Sequence, residues 1–282
     1  MFARFSNSWE LVKASFAVLR ADKELIIFPI VSGLAVLAVT IAFIIPMVAV
    51  GFFESVSEGG ADIAGLVIAF VFYVVMYFIT IFSNTALVGA ALIRLRGGDP
   101  TLRDGFKIAM DHVGQIFGYA VIAATVGMLL RALRERGGLA GVVVSFIGEI
   151  AWNLATFLVV PVLVVENIGP IEAIKRSASL LKRTWGEQII GSFSIGLVFF
   201  LLTAAAVIVI GGPVFLVALA SGSVALIVVA VALVVVIIMG MTLISTTLNG
   251  IYVAALYRYA TEGVVDSQYF RPDLIQNAFQ RK

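Results

Sequence analysis

The chain contains no cysteine and a single histidine, His112. Disulfides, thiolate chemistry and cysteine metal sites are thereby excluded, as is any site built from several histidines. Charge is scarce as well. Only 13% of the residues are Asp, Glu, Lys or Arg, against about 25% in soluble domains, which leaves too little polar surface to wrap a water-soluble core. Nineteen basic and seventeen acidic side chains give a net charge of +2, so the strong positive field of a nucleic-acid-binding domain is missing. No Gly-x-x-x-x-Gly-Lys-Ser/Thr phosphate loop, His-Glu-x-x-His motif or nucleophile elbow occurs, and neither enzyme activity, cofactor nor metal is expected. His112 stands where a polar segment meets an apolar one, a place suited to an interfacial hydrogen bond.

What the chain has is apolar length. Hydrophobic residues make up 61% and the mean hydropathy is +1.11. A bilayer core about 30 Å thick is crossed by roughly 20 apolar residues in a helix. Six stretches reach or approach that length: residues 25–50, 63–93, 113–130, 139–165, 189–210 and 224–255. They are continuous, without the period-two alternation of a barrel strand, so the fold expected is all-α, a polytopic bundle of six membrane helices. The second and sixth are longer than a span and must tilt or continue into water. Pro29, Pro46, Pro161 and Pro213 fall at or near span ends, where proline costs least. The first stretch is too long for a signal sequence and lacks a clean cleavage site, so it reads as a retained span.

Lysine and arginine counts orient the bundle. Arg4, Lys13, Arg20 and Lys23 precede the first span, and Arg94, Arg96, Arg103 and Lys107 follow the second. Lys175, Arg176, Lys182 and Arg183 follow the fourth, and Arg258, Arg271, Arg281 and Lys282 close the chain. The loop after span one holds Glu54, Glu58 and Asp62 and no basic residue. Both termini are therefore expected in the cytoplasm, with the protein multi-pass in the plasma (inner) membrane. One loop opposes the trend: Arg131, Arg134 and Arg136 lie between spans three and four, on the side assigned outside.

Each odd-numbered span is preceded by a basic amphipathic segment. The apolar stripes are Phe5, Trp9, Val12, Phe16 and Leu19, then Leu102, Phe106, Ala109 and Val113, then Ile171, Ile174, Ala178, Leu181 and Trp185, all at helical spacing. Three pseudo-repeats follow, near residues 4–96, 101–167 and 170–260, each an in-plane cytoplasmic helix and a two-span hairpin. Together they make one transmembrane domain, 1–260, with a cytoplasmic tail at 261–282. Trp9, Lys13, Arg20, Arg103, Lys107, Arg176, Arg183 and Trp185 are the expected membrane-surface anchors, set among anionic lipid headgroups. The competing reading makes these helices a collar that couples the spans to a ligand, a partner or bilayer tension.

The run Val159-Val160-Pro161-Val162-Leu163-Val164-Val165-Glu166-Asn167-Ile168-Gly169-Pro170 continues through Glu172-Ala173 and Lys175-Arg176-Ser177 to Lys182-Arg183-Thr184-Trp185-Gly186-Glu187. With Ser8-Trp9, Leu19-Arg20-Ala21-Asp22-Lys23-Glu24-Leu25 and Phe28-Pro29, it resembles an uncharacterised prokaryotic family of six-span integral membrane proteins, a domain of unknown function. The resemblance implies a six-span bundle and supplies neither activity nor site residues.

Three groups of polar residues are candidates for function. Glu149 lies ten residues into span four, about 15 Å from its start, with Asn153 and Thr156 following at helical spacing. A carboxylate at that depth is costly, so it reads either as a cation or proton site or as a neutral group bonded to a neighbouring helix. Arg131, Arg134 and Arg136 read either as side chains snorkelling to outer headgroups or as an outer vestibule that concentrates anions, with Arg131 and Glu135 spaced to pair. Ser83, Asn84 and Thr85 in span two, with Thr242, Ser245, Thr246, Thr247 and Asn249 in span six, read as pore lining or as helix-packing polar residues. The function expected is an oligomeric channel or permeation pathway for small ions or solutes, assembled as a homo-oligomer. The alternative is a non-conducting accessory subunit that scaffolds lipids or another membrane complex.

Overall fold

The computed structural model describes residues 2–49, 63–185, 194–263 and 268–270. The acidic loop with Glu54, Glu58 and Asp62, the residues 186–193 at the start of the expected fifth span, and Arg271, Arg281 and Lys282 of the tail lie outside the described residues. So do the side chains of Phe5 and Trp185. Among the described residues the regular structure is entirely helical. In order these are α1 (Phe2–Ala21), a 3-10 turn (Lys23–Ile26), α2 (Ile27–Ala49), α3 (Ile63–Leu95), α4 (Leu102–Asp111) and α5 (Val113–Arg136). They continue with α6 (Gly138–Thr156), α7 (Val159–Glu166), α8 (Pro170–Trp185), α9 (Ser194–Ala206), a π-helical turn (Val207–Gly211), α10 (Gly212–Ala220) and α11 (Val224–Glu262).

Among the described residues six stretches are long and apolar enough to cross a bilayer, the multi-pass bundle that the hydropathy predicts. Two of them differ inside from a plain span. The fourth, Gly138–Glu166, is broken between α6 and α7. Pro161 has no N–H to offer the Phe157 carbonyl one turn back, and the Leu158 N–H turns away to bond Ser177 Oγ on α8 at 2.9 Å. The fifth does not stop before Gly211-Gly212-Pro213 but continues to Ala220. Pro213 therefore lies inside the span rather than at its end. The π-helical turn just before it takes up the irregular hydrogen bonding that proline imposes.

Burial divides the molecule into two halves. Toward the end that carries α1, α4 and α8, called the collar end below, the spans pack as a protein core. Phe28, Leu87, Ile116, Leu158, Leu163, Leu248, Ile251 and Tyr257 are each no more than 1% exposed. Toward the far end the same helices face outward, with Leu34 of α2, Ile63 of α3, Leu139 of α6 and Val236 of α11 more than half exposed. Lipid is as apolar as these side chains, so nothing drives them together there. At 39 residues, α11 is about 58 Å long and runs through both halves.

The three basic segments are helices packed on the collar end. Arg103 and Lys107 of α4 are exposed while Gly105 and Ala109 are buried. On α8, Lys175, Lys182 and Arg183 are exposed, whereas Ala173, Ser177, Leu180 and Leu181 are buried. α1 is turned relative to the expected stripe. Its buried face is Leu11, Val12, Ala14, Ser15, Val18 and Leu19, set against α9 and α11, and Trp9 and Phe16 face outward with Lys13 and Arg20. The Arg20 guanidinium lies over the Phe16 ring, 4.8 Å from its centroid.

Candidate functional site

Thr80, Ser83, Asn84 and Leu87 recur on α3 at steps of three, one and three, which places them on one helical face. Ser245, Thr246 and Asn249 do the same on α11. These two faces meet Pro29 and Ser32 of α2, Asn153 and Phe157 from the end of α6, and Gly196 of α9 around a cavity of about 520 Å³. Eight of its twelve lining residues carry a hydroxyl or an amide, and none carries a charge. The cavity lies where the packed half gives way to the lipid-facing half. Ser245 is 21 residues from the start of α11, about 32 Å, near the collar-end edge of a hydrocarbon core about 30 Å thick.

Hydrogen bonding separates the polar residues that face this cavity from those that serve their own helix. Thr85 donates to the Ile81 carbonyl at 2.7 Å, Thr242 to Ile238 at 2.8 Å and Thr247 to Leu243 at 2.8 Å. Such bonds to the carbonyl one turn back leave a threonine no donor for a ligand. Thr80, although at the cavity, also donates to Met76, at 2.9 Å. The amides of Asn84, Asn153 and Asn249 are different: among the described residues none has a hydrogen-bonding partner. They come from three separate helices and open on one space. A second hollow of about 280 Å³ adjoins it through Gly196, Ser245 and Thr246 and reaches Thr203 and Thr242 between α9 and α11. Toward the collar end the next turns close the space, with Val88, Ala91, Ile251 and Ala254 fully buried.

The predicted stripe Glu149, Asn153 and Thr156 is divided. Only Asn153 reaches the cavity. Thr156 donates to the Trp152 carbonyl at 2.8 Å. Glu149 forms an ion pair with Arg134 of α5, so the predicted intramembrane acid and one of the predicted vestibule arginines are partners. Arg131 Nε donates to Glu135 Oε1 at 2.7 Å, the pair read from the spacing, and its Nη1 donates to Tyr73 Oη at 2.6 Å. Among the described residues no group of three or more His, Cys, Asp or Glu could hold a metal ion.

Sequence reasoning missed two features. Ser32 and Thr80 extend the cavity's polar lining, and their helical spacing from Pro29 and Ser83 is the signal that could have found them. The second is an ion-pair network on the collar end. Arg176 Nε donates to both oxygens of Glu166 at 2.9 Å, and Tyr257 Oη donates to Glu166 at 3.4 Å. Arg96 and Arg258 both pair with Glu262, at 2.8 and 3.2 Å, and Arg258 also donates to the Leu95 carbonyl. Arg94 donates to the Ala21 carbonyl at 2.7 Å and to Asp99 at 2.9 Å. Arg176, expected among lipid phosphates, thus has an internal carboxylate. These partners are up to 166 residues apart in the chain, and no periodicity announces them.

A family model described as a family of unknown function, DUF6159, matches residues 63–267, which takes in five of the six spans and every cavity residue except Pro29 and Ser32. Among curated proteins and among solved structures nothing matches the chain.

Proposed function

We propose that this chain, which belongs to the DUF6159 family, is a permeation protein whose central cavity takes small uncharged polar solutes. One observation carries the reading: three side-chain amides from α3, α6 and α11 face one space in a membrane-embedded bundle without a protein partner among the described residues. Asn84 is half-buried, and Asn153 and Asn249 are exposed at the open side of the cavity; an amide that faces lipid there rather than water, without a hydrogen bond, costs roughly 2–7 kcal/mol. Such a cluster is sustained by water or by a ligand that donates and accepts hydrogen bonds. The uncharged lining favours hydroxylated or amide solutes over ions, because no side chain of opposite charge is present to compensate an ion held there. The hollow toward Thr203 and Thr242 extends the space by about one helical turn toward the far end. The buried turns below Asn84 and Asn249 make this a closed conformation, and passage requires them to separate.

The basic ends of α1, α4 and α8, by the excess of lysine and arginine, belong on the cytoplasmic face, with α4 and α8 along its surface. The exposed cations there (Arg103, Lys107, Lys182 and Arg183) favour a second reading, a non-conducting subunit that gathers anionic lipid or a membrane partner. Reconstituted vesicles separate the two. After a hyperosmotic step with glycerol or urea, stopped-flow light scattering is expected to show faster reswelling with protein than without. Asn84→Leu and Asn249→Leu should each slow the protein-dependent rate about tenfold, the equivalent of ~1.4 kcal/mol. Equal reswelling of protein-containing and empty vesicles for both solutes would overturn permeation and leave the accessory reading.

A further inference from the structure

The far end carries a recess of about 540 Å³ that permeation through the central cavity does not use. It lies between the end of α2, the beginning of α3 and the end of α5, and its two ends differ in chemistry. Phe43, Met47, Leu66, Phe72 and Met128 line the apolar part, with the Phe43 and Phe72 rings 5.2 Å apart between centroids. Arg131, Glu135 and Arg136 line the other. Two arginines against one glutamate leave a local formal charge of +1. Arg131 spends Nε on Glu135 and Nη1 on Tyr73, which leaves the rest of a five-donor guanidinium for an incoming acceptor. Arg136 is exposed and, among the described residues, has no ion pair.

Depth decides what such a site holds. Arg136 is in the last turn of α5 at the far-end hairpin, where its long side chain reaches headgroup level, and Arg131 lies five residues, about 8 Å, deeper. The apolar walls then extend toward the acyl region. A small inorganic anion would leave those walls without a function, and a neutral lipid would leave the cations without one. We infer that the recess holds one anionic phospholipid, its phosphodiester on Arg131 and Arg136 and an acyl chain along Phe43, Phe72 and Met128. Guanidinium forks are well matched to phosphate oxygens.

The test uses the full chain reconstituted in phosphatidylcholine vesicles with a trace of phosphatidylglycerol bearing a photoreactive acyl terminus. After illumination and digestion, adducts are expected to concentrate on the peptides holding Phe43, Met47 and Met128. Unlabelled phosphatidylglycerol should compete with them and phosphatidylcholine with the same chains should not. Arg136→Gln should cut labelling there about fivefold, and Arg136→Lys should keep most of it. The competition uses the wild-type protein alone, so it decides the matter even if a variant fails to fold. Adducts spread evenly over exposed faces such as Val228 and Val236 of α11 would overturn the inference. So would equal competition by the two lipids, or Arg136→Gln labelled like the wild type. None of these outcomes depends on solute flux.

Discussion

Arg134 and Glu149 are ion-paired across the α5–α6 hairpin, with both side chains part-exposed at 48% and 39%. The hairpin turns on Gly137 and Gly138, and Gly138 has φ +57°, a conformation that favours glycine. The tight turn sets the two helices side by side and brings the arginine's long side chain onto the acid. A carboxylate that is costly alone in an apolar setting is thereby charge-compensated. A part-exposed pair is stabilising by a modest amount. Glu149→Gln and Arg134→Gln should each lower stability by about 1 kcal/mol, and the double substitution should cost less than the sum, because each single change leaves an uncompensated charge. Thermal melts of the four proteins in one detergent check this. Solute reswelling should be unaffected by Glu149→Gln, since that side chain does not line the cavity.

Ser177→Ala acts on the break between α6 and α7. Ser177 is fully buried, and its Oγ is the acceptor for the Leu158 N–H. Removing it leaves a buried donor unsatisfied, which costs about 1–3 kcal/mol. Ser179→Ala, two residues along on the exposed side of α8, should change stability by no more than ~0.5 kcal/mol. Equal melting shifts for the two variants would refute the role given to Ser177.

The spans were legible because continuous apolar runs have one physical meaning in a bilayer, and all but the fifth, which runs about ten residues further along the chain, begin within two residues of their expected positions. Their interruptions were less so. Pro161 and Pro213 marked irregular sites, but whether a proline ends a helix, breaks it or is absorbed by a π turn depends on what neighbouring helices supply, here Ser177. The polar residues divided for a similar reason. Every helical threonine has a carbonyl one turn back within reach, so Thr85, Thr242 and Thr246 look alike as sequence. Only the packing of α3 against α11 shows that Thr246 opens on the cavity and that Thr85 does not. The Arg96–Glu262 and Arg176–Glu166 pairs depend on how helix ends converge, and charge counting assigned those arginines to a membrane face without partners.

Gly105 lets α4 lie directly on the spans. A Cβ there would come within 2.4 Å of the Phe28 ring and 2.8 Å of the Ala86 carbonyl oxygen. Phe28 is 1% exposed and stacks edge-on against Phe106 at 5.1 Å, so it has little room to yield. Gly105→Ala should destabilise by about 1–3 kcal/mol through overpacking. Gly114 provides the comparison, since nothing lies within 4 Å of a Cβ added there. Gly114→Ala should be neutral or stabilising by up to ~1 kcal/mol from helix propensity. Parallel melts of the two alanine variants are the measurement, and opposite signs are expected.

Two aspartates on the collar end should respond to pH with opposite signs. Burial raises the Asp22 pKa above its ordinary 3.8, and nearby Arg94 opposes that only in part. One carboxylate oxygen of Asp22 is buried without a hydrogen bond among the described residues. The folded protein therefore holds an extra proton between pH 3.8 and the raised value. The contribution of Asp22 to stability is greatest below that window and falls as pH rises through it. Asp22→Asn should remove this loss, melting above the wild type at neutral pH and converging with it as pH falls below 3.8. Asp104 is the reverse. It accepts from the Thr101 hydroxyl at 2.7 Å and from the Thr101 N–H at 3.0 Å, closing a capping box at the start of α4. Those bonds lower its pKa below 3.8, so its contribution is present above 3.8 and is lost as pH falls through the lowered value. Asp104→Ala should melt below the wild type at neutral pH, and that gap should close only in the acid range. Melting curves between pH 3 and 8 for both variants, each relative to the wild type, test the assignment. Gaps of the same sign at neutral pH would mean that one of the two carboxylates is not in the environment described.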